Sequence, residues 1–186
     1  MIPTEVLSNE HRLILTVLDR VEEAAQRLDD GEAVSPEFFL DAAEFIAGFA
    51  DKCHHGKEED ILFVALTTKH MPRDSGPVAV MLQEHDEGRR YTAGMQSAAE
   101  RMKAGDASAA DDIVHNALNY VQLLRQHIFK EDNVLFPMAE QMIMGDELQI
   151  VSRKFEQAIA TDEASGATAH YQELADKLSA YLSAAA

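Results

Sequence analysis

Residues 54–64 read HHGKEEDILFV, and residues 127–137 read HIFKEDNVLFP. Aligned from their first letters, five of eleven positions are identical: His, Lys, Glu, Leu and Phe. In both copies the His and the Glu stand four residues apart, which is one helical turn, so each pair shares a helix face. The face of His54 also carries Ile46, Ala47, Ala50, Ile61 and Leu62. The face of His127 carries Ile113, Tyr120, Leu123, Leu124, Val134 and Leu135. Apolar stripes of this kind turn inward, so both His-x-x-x-Glu pairs are expected inside the protein.

A second repeat lies upstream of each copy. PTEVLSNEH (3–11) and PVAVMLQEH (77–85) both open on Pro and close on Glu-His, at an offset of 74 residues; the longer phrases are offset by 73. The chain therefore reads as two related helical hairpins, each carrying one lone His and one His-x-x-x-Glu. Helical periodicity predicts a first helix closed by Gly31 and a second from the Ser35-Pro36 start to about residue 68. A third runs from near Pro77 to Lys103-Ala104-Gly105. A fourth runs from about Ala107 toward Pro137, which is expected to end or kink it. Two shorter helices are expected near 146–160 and 168–183. Nothing alternates like a strand, so the fold class is all-α. Four long helices with short connections predict an up-down-up-down bundle over residues 1–144, with residues 145–186 as a helical extension packed on it.

Heights along these helices bring the histidines together. His11 is 17 residues before Leu28, and His54 is 18 after Pro36. His85 is 18 before Lys103, and His127 is 18 after Ala109. At about 1.5 Å per residue, antiparallel helices place all four imidazoles at one level, with Glu58 and Glu131 a turn away. Four imidazoles and two ionised carboxylates are costly in a dry core unless cations compensate them. Two carboxylates bridging a pair of ions, with histidines completing each, give mixed nitrogen and oxygen coordination with open positions. Such a site suits iron or manganese better than structural zinc.

Composition narrows the partners. A net charge of −17 over 186 residues disfavours nucleic acid and anionic lipid. No apolar run has the length of a membrane helix and no signal peptide is recognisable at the start. The single Cys53 excludes an internal disulfide, and a reducing cytoplasm is the expected compartment.

Through His11, HHGKEEDILF, EHDEGR and HIFKEDNVLFP, the chain resembles the hemerythrin-like, HHE cation-binding domain family over about residues 3–140. The resemblance implies a four-helix bundle around a non-haem centre of two Fe ions, bridged by two carboxylates and an oxo or hydroxo group. Carried over by position, the ligands are His11, His54, Glu58, His85, His127 and Glu131. Two departures stand out against the oxygen carriers of the family. Arg89 occupies the place of a further ligand His, and the step after His127 is four residues, to Glu131, rather than five to an aspartate. One ion is thus a ligand short, and His55, beside His54 and a turn from Glu58, is the nearest candidate to complete it. These departures point away from simple oxygen carriage. They favour binding or reaction with dioxygen, nitric oxide or peroxide at an open iron position, as an oxidoreductase or as a sensing or storage module without turnover. A helical interaction protein with an incidental His cluster is the third alternative. The implied partner is a small diatomic molecule or peroxide; no protein partner is indicated.

The remaining candidates read more plainly. His70 and His115 are helix-end and surface residues. His170 is expected in packing or at the surface unless the last helices carry it to the site. Glu59 and Asp60 are outer or surface charges, Cys53 a small buried residue, and Tyr120 a core residue able to donate a hydrogen bond near the centre.

Overall fold

The computed structural model describes residues 1–184, and of residues 182–184 only the backbone. The described residues are helical apart from short connections. Helix α1 is Pro3–Asp29. Helix α2 covers 36–67 and begins with Ser35 accepting a hydrogen bond from the Glu37 amide, a side-chain cap on an orphan N–H. Helix α3 is Gly76–Lys103. Helix α4 covers 109–142, and α5 and α6 are Asp146–Ala164 and Ala167–Ala184. Helix α3 packs on α4 and α2, and α1 packs on α4.

Pro137 neither ends nor sharply stops α4. The helix runs α-helically over Ala109–Lys130, widens to π-helical turns over Glu131–Leu135, and continues through Phe136–Met142. Proline sits in the first turn of that last segment, where its missing N–H costs least. Helix α2 widens in the same way over Ile46–His55 and Glu58–Leu62. The amide of Phe63 bonds the carbonyl of Glu58, and that of Phe136 bonds the carbonyl of Glu131, each five residues back. Both copies of the repeated phrase thus carry a π turn that starts at the Glu. Such turns are uncommon and concentrate at functional sites.

The apolar core falls into two clusters. One contains Ile14, Ala50, Met95, Leu124 and Ile128; the other contains Leu7, Leu62, Met81 and Leu135. Between them on the four long helices lie His11, His54, Glu58, His85 and Glu131, all buried. The centre is therefore a polar layer between two hydrocarbon layers. Helices α5 and α6 pack over the outside, with Phe155 entering the second cluster and Leu178 the first. Among the described residues, no helix is long and apolar enough to cross a membrane.

Candidate metal centre

Each long helix contributes ligand-type side chains at the level of the polar layer. Nε2 of His11 lies 3.1 Å from Nε2 of His54, and Nε2 of His85 lies 3.2 Å from Nε2 of His127. Glu58 spans the two histidine pairs, with Oε1 3.6 Å from His54 and Oε2 3.4 Å from His85. Glu131 spans them from the other side, with Oε2 3.3 Å from His11 and Oε1 3.3 Å from His127. All four carboxylate oxygens are buried without a hydrogen-bond partner. The contacts to imidazole are close enough for attraction between charges but are not aligned as N–H···O bonds.

Among the described residues two groups of potential donors result: His11, His54, Glu58 and Glu131, and His55, Glu58, His85 and His127. In each, one donor atom per residue lies within 4.8 Å of all the others. Donors about 2.1 Å from a shared cation stand roughly 3.0–3.4 Å apart along the edges of an octahedron or tetrahedron. The spacings above fall at or just outside that range, and the residues fit a pair of cations sharing Glu58.

The outward nitrogens explain why the inner ones are free. Nδ1 of His11 bonds Asp132 at 3.0 Å, and Nδ1 of His54 bonds Glu10 at 2.9 Å. Nδ1 of His85 bonds Glu59 at 2.7 Å, and Nδ1 of His127 bonds Glu84 at 3.0 Å. A carboxylate on one side of an imidazole takes its N–H and turns the lone pair of the other nitrogen toward a metal. The arrangement repeats in the two halves. Glu10 and Glu84 each precede a lone His, while Glu59 and Asp132 each follow a central Glu.

Every identical letter of the repeated phrase now has a physical task. The two histidines and two glutamates face the centre. Lys57 lies 3.1 Å from Glu10, and Lys130 pairs with Glu84, so each lysine neutralises the acid that orients a histidine. Leu62 and Leu135 seal the layer from one side. Phe63 stacks on His85 at 5.9 Å between ring centroids, and Phe136 on His11 at 5.6 Å. The lysines differ in cover: Lys57 is 3% exposed, beneath Asp162 of α5, whereas Lys130 is 37% exposed.

The halves also differ at His55, whose counterpart 73 residues on is Ile128. Spacing on a regular helix places His55 at the edge of the inner face; in the widened π turns it is buried beside His54. Its ring stacks on His85 at 3.8 Å, and its Nδ1 lies 3.3 Å from Asp51. Arg89 is bound by carboxylates, reaching Asp51 at 2.7 Å, Glu59 at 2.6 Å and Asp86 at 2.9 Å. It holds in place the acids that orient His55 and His85.

Without cations, protons carry the compensating charge. Burial disfavours charge on His11, but Asp132 and Glu131 outweigh it and raise the group to about 9. Burial likewise works against His127, yet Glu131 and Glu84 raise it to about 10. Glu58 is pushed up to about 8 by burial and by the charge of Glu131. Burial works on Glu131 too, but His127 and His11 bring it well below the usual carboxylate range. Burial and His11 hold His54 well below its ordinary value, and burial and His85 take His55 down to about 4.

The other expected positions lie away from the centre. His170 is exposed and bonds Glu44 at 2.8 Å, and His70 and His115 are also exposed. Cys53 is half-buried on the far side of α2, beside Lys57 and Asp162, in a cavity of about 390 Å³. Burial and Asp162 push its thiol up to about 11. Sequence reasoning leaves Glu10, Glu84 and Asp132 unassigned and Glu59 undecided. Their signal is present in the repeated Glu-His and the repeated acid after each central Glu.

The chain is similar in sequence to several known proteins. An uncharacterized protein of Mycobacterium tuberculosis is 24% identical over 152 residues, covering 82% of this chain and 59% of its own length. One from Mycobacterium bovis matches to the same extent. The iron-sulfur cluster repair protein YtfE of Dickeya chrysanthemi is 28% identical over 138 residues, covering 70% of this chain and 60% of its own. The chain thus spans about three-fifths of the length of the curated relatives it matches. No solved structure matches it significantly. The family model of the hemerythrin HHE cation binding domain matches residues 2–139, and the chain belongs to that family.

Proposed function

We propose that this chain is a hemerythrin-like, non-haem di-iron protein. It binds or reacts with dioxygen, nitric oxide or peroxide at an open position on one iron, in the cytoplasm. In this reading α1–α4 form the up-down-up-down bundle over residues 1–144, and residues 145–186 are an extension whose described part, 145–184, covers one side. The observation that carries it is the convergence of imidazole nitrogens on four buried carboxylate oxygens that have no hydrogen-bond partner. Such a cluster is unfavourable empty and is satisfied by cations.

The chain's own residues have separable tasks. His11 and His54 would hold one ion, His55, His85 and His127 the other, and Glu58 and Glu131 lie where they would serve both. Glu10, Asp132, Glu59 and Glu84 fix the rings, and Phe63, Phe136 and the flanking aliphatic layers exclude water. Bound iron supplies Lewis acidity and electrons to a small ligand. In this reading the protein's share is holding, orienting and shielding.

A relative named for iron-sulfur cluster repair favours iron handling as a second reading, in which the site stores or senses without turnover. Reduced, iron-loaded protein mixed with excess peroxide or nitric oxide separates the two. Consumption of many equivalents per chain supports the oxidoreductase. One equivalent bound and released on dilution supports the sensor or store, and no spectral response to any of these ligands overturns both. The same experiment tests the seventh ligand. His55→Ala is expected to shift the iron absorption spectrum with helicity unchanged; an identical spectrum removes His55 from the coordination shell.

A further inference from the structure

Two of the outer acids divide their oxygens in the same way. Glu10 meets Nδ1 of His54 with Oε2 and pairs with Lys57 through Oε1. Glu84 meets Nδ1 of His127 with Oε2 and pairs with Lys130 through Oε1. A Lys-Glu-His chain is thus written twice, but only one copy is sealed. Asp162 of α5 lies 4.0 Å from the Lys57 ammonium, and the Cys53 carbonyl accepts from the same group at 2.6 Å. Lys57 is 3% exposed; Lys130 stands open to water at 37%.

The cover is built into the sequence. On the sealed flank Val6, Leu13, Phe49 and Cys53 line the cavity beneath α5 and α6. Their counterparts 73 or 74 residues on are Val80, Glu87, Gln122 and Gln126, and both glutamines are exposed. Three of the four positions turn polar, so the second half is made to meet solvent where the first is made to be covered. Helix α6 is seated by Tyr171, whose hydroxyl lies over Gly48 and leaves no room for a Cβ. The Ser35 amide donates to Tyr181 at 2.8 Å farther along α6. The sealed chain also serves the poorer donor set. Two imidazoles, His11 and His54, face one cation position, and three, His55, His85 and His127, face the other. Loosening one ring weighs more where there are two.

We propose that Lys57, sealed under α5, is a positioning residue for the cation held by His11 and His54, and that by holding Glu10 on His54 it makes good the smaller donor set. The inference rests on the di-iron reading and deepens it. It gives the terminal helices, which lie beyond the family match at residues 2–139, a part in retaining one ion. An ion pair shielded from water is strong, whereas one facing solvent is screened. The ammonium fixes one oxygen of Glu10 and leaves the other on Nδ1 of His54, which keeps Nε2 turned to the centre.

Iron loading is measured first, then the affinity of each ion by competition with a chelator. Lys57→Met, which keeps the apolar stem, is expected to weaken one of the two ions about tenfold, the lower end of what partners orienting metal-bound histidines contribute. Lys130→Met, the matching change at a screened site, is expected to weaken either ion less than about threefold. Two backgrounds locate the effect. In His11→Ala, which retains only the other ion, adding Lys57→Met is expected to change nothing. In Glu10→Ala, which leaves no acid to hold, adding it is expected to cost nothing more, since residues acting through one another are not additive. Equal affinities in wild type and Lys57→Met overturn the proposal. So do a loss shared by both ions, a loss as large in Lys130→Met, or a further loss in either background. Were Lys57→Met alone too unstable to purify, the two Glu10→Ala proteins, which carry no unpaired acid there, decide the matter. A wild type that loads no iron overturns the di-iron reading instead, and the first measurement identifies that case.

Discussion

Glu58→Gln is expected to lower bound iron from two ions per chain to below one, while raising the melting point of the metal-free protein. The two effects have one cause. Glu58 is shared by both donor groups and spans both histidine pairs, so losing its charge weakens both ions together. Without metal, the same carboxyl is buried against Glu131 with neither oxygen hydrogen-bonded. Near neutral pH that carboxyl must take up a proton to lie beside the Glu131 charge, whereas an amide is neutral without one. A structural acid behaves oppositely: neutralising it lowers stability, with or without metal. His11→Ala, touching one donor group, is expected to retain close to one ion. Asp60→Ala, at an exposed site next to Glu59, is expected to retain two. Metal analysis and thermal melting of the four proteins decide the matter, and a Glu58→Gln variant that keeps two ions contradicts the bridging role.

Stripping the metal is expected to lower the melting temperature by about 10 °C or more near pH 7. A site occupied at 100 to 1,000 times its dissociation constant adds about 3–4 kcal/mol. Each kcal/mol shifts melting by about 2–4 °C in a chain of this size. The gap is expected to widen with alkalinity. His11, His127 and Glu58 hold protons in the metal-free folded state up to about 9, 10 and 8, above their ordinary values. The folded state therefore binds more protons than the unfolded chain over this range, and its stability falls as pH rises through 8 to 10. On the acid side His54, His55 and His85 lie below their ordinary value, so metal-free stability also falls as pH drops below about 6.5. In the loaded protein, cations replace the protons and the alkaline loss disappears. Melting curves from pH 6 to 10, with and without chelator, measure this directly. Parallel curves contradict it.

The repeated phrase makes much of this visible in the sequence alone. His-x-x-x-Glu on an apolar stripe, written twice, places His54, Glu58, His127 and Glu131 on inward faces. Equal distances from the helix ends put His11 and His85 at the same height. Two kinds of feature are harder to read. The first is backbone irregularity: the π turns over Ile46–His55 turn His55 inside, where a regular period places it at a boundary, and those at Glu58 and Glu131 rotate the residues beyond them. Pro137 is tolerated for the same reason, because α4 restarts its α-helical turns just before it. The second is pairing across helices. That Glu10 serves His54, or Asp132 serves His11, depends on which way long side chains reach between neighbours, which spacing along one helix does not encode. The lysine repeated in both phrases is such a clue, since its partner acids lie on another helix.

The most direct test is the metal content of the protein purified without chelator, read together with its absorption spectrum before and after exposure to oxygen. The expected result is close to two irons per chain, with an oxygen-sensitive near-ultraviolet band. A helical, folded protein with metal near zero that takes up none on reconstitution contradicts the account at its centre.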